Sequence, residues 1–146
     1  MAICGGGRTI FHIDVNSAFL SWEAAYRIQH GDTNDLREIP SVVGGDEESR
    51  HGIVLAKSIP ARKLGIHTGE VLWQARNKCP GLVIMPPEYT LYMNCSNAMM
   101  DLLGGWTPLI ERYSVDECFL DVTGLVAAIP AGNMPKKTAL ELDRFI

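Results

Sequence analysis

Apolar residues fall into short runs separated by glycine, proline and charged turns, and the period inside each run predicts its element. Residues 8–14 (RTIFHID) are largely apolar, with Ile10, His12 and Asp14 alternating with Thr9, Phe11 and Ile13. Such a run predicts a strand buried on both faces. Asn16 or Ser17 can cap the helix that follows, and Gly31 stops it after His30. Ala18, Trp22, Ala25 and Gln29 mark one side of that helix, and Phe19, Glu23 and Tyr26 the next. Residues 40–45 (PSVVGG) and 52–57 (GIVLAK) predict a hairpin across the charged turn 46–51. Pro60 suits the first turn of a short helix over 60–64. Thr68 is placed to cap a helix running to Lys78, which Pro80 and Gly81 close.

The second half is more regular. Residues 82–85 predict a short strand. Residues 88–103 predict the clearest helix, with Leu91, Cys95, Ala98, Met99 and Leu102 at spacings of three and four. Gly104 and Gly105 end it. Residues 108–114 and 118–122 predict two apolar strands around Val115, Asp116 and Glu117, and Pro135 opens a last helix. The order is β-α, a mixed insert, then β-α-β-β-α. That order suggests an α+β fold with a ferredoxin-like layer whose final strand is absent.

Composition narrows the class. The chain has 146 residues, 47% hydrophobic and 21% charged, which suits one domain with a small insert. No window holds 18 uncharged apolar residues, so no membrane-spanning helix is expected. Residues 1–7 are small and glycine-rich; they read as a flexible lead-in or a cloning remnant and not as a signal peptide. Cys4, Cys79, Cys95 and Cys118 make no C-x-x-C pair, which points to isolated thiols in a reducing cytosol. The net charge of -4 runs against duplex binding, which lysine and arginine drive. If the chain acts on DNA, most of the grip lies outside it.

The candidate chemistry is acidic. Asp14 ends an apolar strand, and Asp116 and Glu117 lie between two others. A carboxylate among buried strands is costly unless it is paired or bound to metal. Three of them on two neighbouring strands would suit magnesium, which takes few protein carboxylates and leaves positions for phosphate oxygens. The plainer alternative stays open: a lone Asp at a strand end usually caps a turn, and adjacent Asp-Glu usually marks a solvated hairpin.

The flanking residues carry more. His12 to Glu23 reads HIDVNSAFLSWE, 55–65 reads LAKSIPARKLG, Pro86-Pro87-Glu88-Tyr89 is followed by Tyr92, and 114–121 reads SVDECFLD. In this order these four segments resemble the signatures of the Y-family (lesion-bypass) DNA polymerases. The resemblance implies a ferredoxin-like palm over 8–19 and 82–146, interrupted by fingers over 20–81. It implies that thumb and little finger are missing, so that this fragment alone is inactive. It implies that Asp14, Asp116, Glu117 and the Val15 backbone carbonyl hold two magnesium ions, with manganese as a substitute. Phe19 matches the steric gate, a ring that collides with a ribose 2′-hydroxyl. Arg62 matches the fingers arginine that grips the triphosphate, and the amides of Ser17, Ala18 and Phe19 face the phosphates.

The chain departs from the pattern at Asn16, Ala18, Ala56 and Ile59, where many members carry a second Asp, an aromatic, a small hydroxyl residue and a tyrosine. Lys57 or Ser58 is expected to compensate for the last two, and an atypical bacterial branch is the natural inference. The implied activity is templated transfer of deoxynucleotides (dNTPs) to a primer 3′-end, in damage tolerance and repair. The partners are primer-template DNA, dNTP and a sliding clamp reached through regions beyond this chain. The implied location is the bacterial cytoplasm, with no membrane partner. Two rival classes remain: an inactive polymerase-like module that binds DNA or a partner, and another palm enzyme such as a nucleotidyl cyclase.

Overall fold

The computed structural model describes residues 7–45 and 52–128. The charged turn expected over 46–51 and the helix expected from Pro135 lie outside them, as does Cys4. The described residues form two units. One holds residues up to Val15 and from Ser96 onward; the other holds those from Asn16 to Cys95.

In the first unit, β1 (Ile10–Asp14) pairs antiparallel with β6 (Glu117–Asp121), and β6 pairs antiparallel with β5 (Ile110–Arg112). The sheet order β1-β6-β5 is that of three strands of a ferredoxin-like layer. Alternation gives the sheet two unlike faces. Phe11 and Ile13 oppose Leu120 and Cys118, while His12 and Asp14 oppose Phe119 and Glu117. On the first face, Cys118, Leu120 and Val122 pack with Met99 and Leu103, and Ile13, Val15 and Ile110 close the cluster. Burial pushes the Cys118 thiol up.

The expectation of a strand buried on both faces is therefore corrected. Ile10, Phe11, His12 and Asp14 are exposed, and only Ile13 is half-buried. Among the described residues β1 is an outer strand, and its second face carries polar groups. A helix that the sequence pattern missed, α5 (Thr123–Ala128), follows β6.

In the second unit, β2 (Ser41–Gly44) pairs antiparallel with β3 (Val54–Lys57), as the hairpin pattern predicts. It also pairs in parallel with β4 (Val83–Met85). Residues 82–95, read from sequence with the palm, therefore pack with the second unit, as do residues 16–19. The core is Val42, Val54, Ala61, Ile66, Leu72, Ala75 and Leu82. Helix α1 (Ala18–Gln29) lies against β2 and β3 and buries Ala18, Leu20, Trp22, Glu23 and Ala24.

Two caps differ from expectation. At the start of α1 neither Asn16 nor Ser17 makes a side-chain cap. Ser17 takes a left-handed conformation with φ 49°, and the Ser21 hydroxyl donates to the Asn16 carbonyl. Thr68 does not cap α3 (Leu72–Lys78). Its hydroxyl accepts from Lys57 Nζ at 2.7 Å, and residues 69–71 first run beside β3, where Val54 bonds Glu70 and Gly69. Gly69 turns this segment at φ 83°, a region costly for a residue with a Cβ.

Helix α2 (Ile59–Lys63) is capped by Ser58, whose hydroxyl accepts from Ala61 N. Helix α4 (Tyr89–Gly104) fills the expected range, but its buried stripe is Tyr92, Ser96, Met99 and Leu103. The stripe is rotated by one residue from the predicted one, so Leu102 and Ala98 are exposed.

Candidate metal and nucleotide site

The polar face of β1 and β6 carries the acidic residues. Asp14 and Glu117 are direct partners across the antiparallel pair. Such partners project to one face with Cβ atoms about 4.5–5.5 Å apart. Asp116 precedes Glu117 at the tip of the β5–β6 turn, and its carbonyl accepts from Val15 N at 3.1 Å. That bond fixes the backbone after Asp14 against the backbone before Glu117.

The Ser114 hydroxyl lies 2.9 Å from Asp116 Oδ1 and 3.4 Å from Glu117 Oε2. It has one proton, so it donates to one carboxylate at a time and orients that group. His12 Nε2 lies 3.9 Å from Glu117 Oε1, and its ring stacks on Phe119 at 4.5 Å. Tyr113 meets Phe119 edge-on. Ser114, His12 and Phe119 were not named as site residues from sequence. Ser114 and His12 nonetheless stand in the quoted SVDE and HID segments, and strand alternation puts His12 with Asp14.

Backbone register thus brings Asp14 and Glu117 together, with Asp116 adjacent in the chain. Among the described residues no three His, Cys, Asp or Glu side chains form a ready-made metal cluster. The donors fit a hard divalent cation in kind, because all are carboxylate or carbonyl oxygens, with Asp14 and Glu117 on one sheet face and Asp116 in the turn beside it. Asp121, the last acid of the SVDECFLD segment, is structural. Its carboxylate accepts from the Thr123 hydroxyl and amide and from Arg8 Nε. Those bonds, led by the Thr123 hydroxyl, hold its pKa at about 2.

The residues expected to face a nucleotide lie in the second unit. Ser17 in its left-handed state is followed by the first helical residues Ala18 and Phe19, and the first helical amide bond runs from Ser21 to Ser17. A left-handed residue leading into a right-handed turn makes a concave array of N–H groups suited to anions. Ala18 is buried, so its methyl offers nothing to a nucleotide.

Phe19 is half-buried. Its ring stacks on Tyr92 at 4.5 Å and 9° and meets Tyr89 edge-on at 6.3 Å. Arg62 is exposed on α2. Lys57 is half-buried and its Nζ donates to the Thr68 hydroxyl.

Ser58 does not fit its expected role. It is buried, its hydroxyl donates to the Ile39 carbonyl at 2.7 Å, and it accepts from Ser41 N and Ala61 N. No lone pair or proton is left for a phosphate. Ile59 beside it is 58% exposed. Below Phe19, two residues quoted above as motif letters come together: Tyr92 and Glu23 are both buried, and Arg27 pairs with Glu23 at 2.9 Å.

The model of the impB/mucB/samB family matches residues 13–144. DNA polymerase IV of Clostridium acetobutylicum is 58% identical over 116 residues, covering 80% of this chain and 29% of that protein. DNA polymerase IV 1 of Bacillus subtilis is 41% identical over 139 residues, covering 95% and 31%. The solved structure of DinB from Sulfolobus solfataricus superposes with a TM-score of 0.71 at 28% identity, covering 82% of this chain and 33% of that one. A Y-family DNA polymerase chimera gives the same TM-score and identity. The chain spans roughly three-tenths of the length of these curated relatives. With a family match over residues 13–144 and an α+β fold shared with solved Y-family polymerases, the chain belongs to the impB/mucB/samB family, the Y-family of DNA polymerases.

Proposed function

We propose that this chain supplies the metal-binding carboxylates and the nucleotide-facing surface of an enzyme that extends a DNA primer on a template. The observation that carries the reading is the register Asp14 opposite Glu117, with Asp116 tied through its carbonyl to Val15. Asp14, Asp116, Glu117 and the Val15 carbonyl would hold two magnesium ions, for which manganese can substitute. When bound, such a pair lowers the barrier for an in-line attack of a 3′-hydroxyl on the α-phosphate and stabilises the departing pyrophosphate.

The remaining roles belong to the chain's own groups. Ser114 orients whichever carboxylate it donates to. The amides of Ser17, Ala18 and Phe19 bind phosphate oxygens, as the left-handed turn at Ser17 favours. Arg62 offers an exposed planar fork for the triphosphate, and Lys57 adds a second positive charge nearby in sequence. Phe19 packs under the sugar and excludes a ribose by collision. Family membership supports synthesis past damaged templates, a cytoplasmic location and docking on a sliding clamp through regions outside this chain. No helix among the described residues is long and apolar enough to cross a membrane.

A second reading, an inactive DNA-binding module, is favoured by one observation: at the phosphate-facing corner Ile59 is apolar and the Ser58 hydroxyl is committed elsewhere. One experiment separates the two. In the full-length protein, primer extension with magnesium is expected, and Asp116→Ala should abolish it. Extension undiminished in that variant sinks the proposal, and absence of any magnesium-dependent dNTP binding in the wild type favours the inactive module.

A further inference from the structure

We propose that Glu23 is a positioning residue for the ring of Phe19, acting through Tyr92, and so helps to set the choice between deoxy- and ribonucleotides. The inference rests on the reading of Phe19 as the sugar-excluding ring. A ring that rejects a 2′-hydroxyl by collision works only if it cannot retreat. Phe19 is only half-buried, so its rigidity must come from what lies behind it.

Behind it is Tyr92, stacked at 4.5 Å with its plane within 9° of the Phe19 plane. Tyr89 and Trp22 close the sides at 6.3 and 6.5 Å. Offset stacking couples the two planes, so a tilt of Tyr92 becomes a tilt of Phe19.

Tyr92 is 1% exposed, and its hydroxyl lies 3.5 Å from Glu23 Oε2. Burial pushes the Tyr92 phenol up to about 12, so it stays protonated at neutral pH and donates to the carboxylate. Glu23 is itself 4% exposed. A buried carboxylate is expensive and persists only with strong partners. Its other oxygen accepts from Arg27 Nε at 2.9 Å, and Arg27 lies 3.6 Å from Asp32 at the surface. The helical spacing of four makes the Glu23–Arg27 pair local to α1, the helix that also carries Phe19 near its first turn. Ring, phenol, carboxylate and guanidinium thus form one chain of contacts, closed within a single unit.

The test is insertion of matched dNTPs and rNTPs by the full-length protein, read as the ratio of kcat/KM for the two sugars. Four variants are compared. Phe19→Ala should collapse the ratio. Glu23→Leu and Tyr92→Phe should lower it roughly three- to tenfold, the scale set by losing one long hydrogen bond to a charged acceptor. Glu23→Gln, which keeps an acceptor and the side-chain shape, should restore the ratio towards wild type. A uniform loss of activity on both sugars with the ratio unchanged in Glu23→Leu and Tyr92→Phe, while Phe19→Ala still collapses it, overturns the positioning role alone. An unchanged ratio in Phe19→Ala overturns the reading of Phe19, and the proposal with it. Tyr92→Phe removes one oxygen from a packed ring, so it remains informative if Glu23→Leu fails to fold.

Discussion

Replacing Ser58 with alanine separates a structural from a nucleotide-binding hydroxyl. The side chain is 3% exposed and makes three bonds: to the Ile39 carbonyl at 2.7 Å, from Ser41 N at 3.1 Å and from Ala61 N at 3.1 Å. The last caps α2, and loss of such a cap costs about 1 kcal/mol. The buried Ser41 amide and the half-buried Ile39 carbonyl are left facing a methyl; an unpaired buried group costs about 1–3 kcal/mol, and the carbonyl less. The sum, discounted for relaxation, is about 3–4 kcal/mol. In a unit of this size that lowers the unfolding midpoint by more than about 10 °C. Urea unfolding followed by tryptophan fluorescence measures it, because Trp22 and Trp73 both lie in this unit. Destabilisation below about 1 kcal/mol, together with a selective rise in the KM for dNTP, would refute the reasoning and return Ser58 to the triphosphate.

Other outcomes follow from the same geometry. Gly44→Ala puts a Cβ 2.7 Å from Leu72 Cδ2 and 3.0 Å from the Ile53 carbonyl, so it should destabilise by about 1–3 kcal/mol in thermal unfolding. Asp121 has a folded pKa of about 2, below its ordinary 3.8, so its stabilisation is complete above the unfolded value and is lost as pH falls through the folded one. Asp121→Asn should therefore flatten the fall in melting temperature between about pH 5 and pH 2. Arg62→Ala should raise the KM for dNTP on the order of tenfold in primer extension, with little change in melting temperature, since the side chain is exposed.

Much of this was legible in the chain. Period and punctuation locate β1, the β2–β3 hairpin, α4 and the β5–β6 pair, with glycine or proline bounding the hairpin and α4 most sharply. What escaped depended on long-range contacts. The two unlike faces of β1 follow from its place outside β6, and a largely apolar run does not reveal that placement. The buried stripe of α4 is shifted because Tyr92 and Ser96 are inside, and a search for aliphatic spacing passes over a phenol and a hydroxyl. Thr68 looks like a cap, but its hydroxyl is taken by Lys57 and the backbone beyond it runs along β3 before the helix starts. Strand β4 joins β2 in parallel, a pairing that local pattern cannot indicate.

The acidic site shows the same division. The flanking segments single out Asp14, Asp116 and Glu117 as the candidates, and alternation alone puts Asp14 and His12 on one face. Ser114 is visible in the sequence only as a motif letter, and its contact with two carboxylates needs the folded turn. The group beneath Phe19 is hidden for a different reason. Glu23 appears in the sequence as the closing letter of the HIDVNSAFLSWE segment, and its burial and its contacts with Arg27 and Tyr92 need the folded unit.

The central claim is that three carboxylates hold the catalytic ions. Its most direct test is a crystal structure of the full-length protein with primer-template DNA, a non-hydrolysable dNTP analogue and manganese, located by anomalous scattering. The account predicts two peaks about 3.5–4 Å apart, bonded between them to Asp14, Asp116 and Glu117. A bound triphosphate whose metal ions leave any of these three carboxylates outside coordination distance would contradict it.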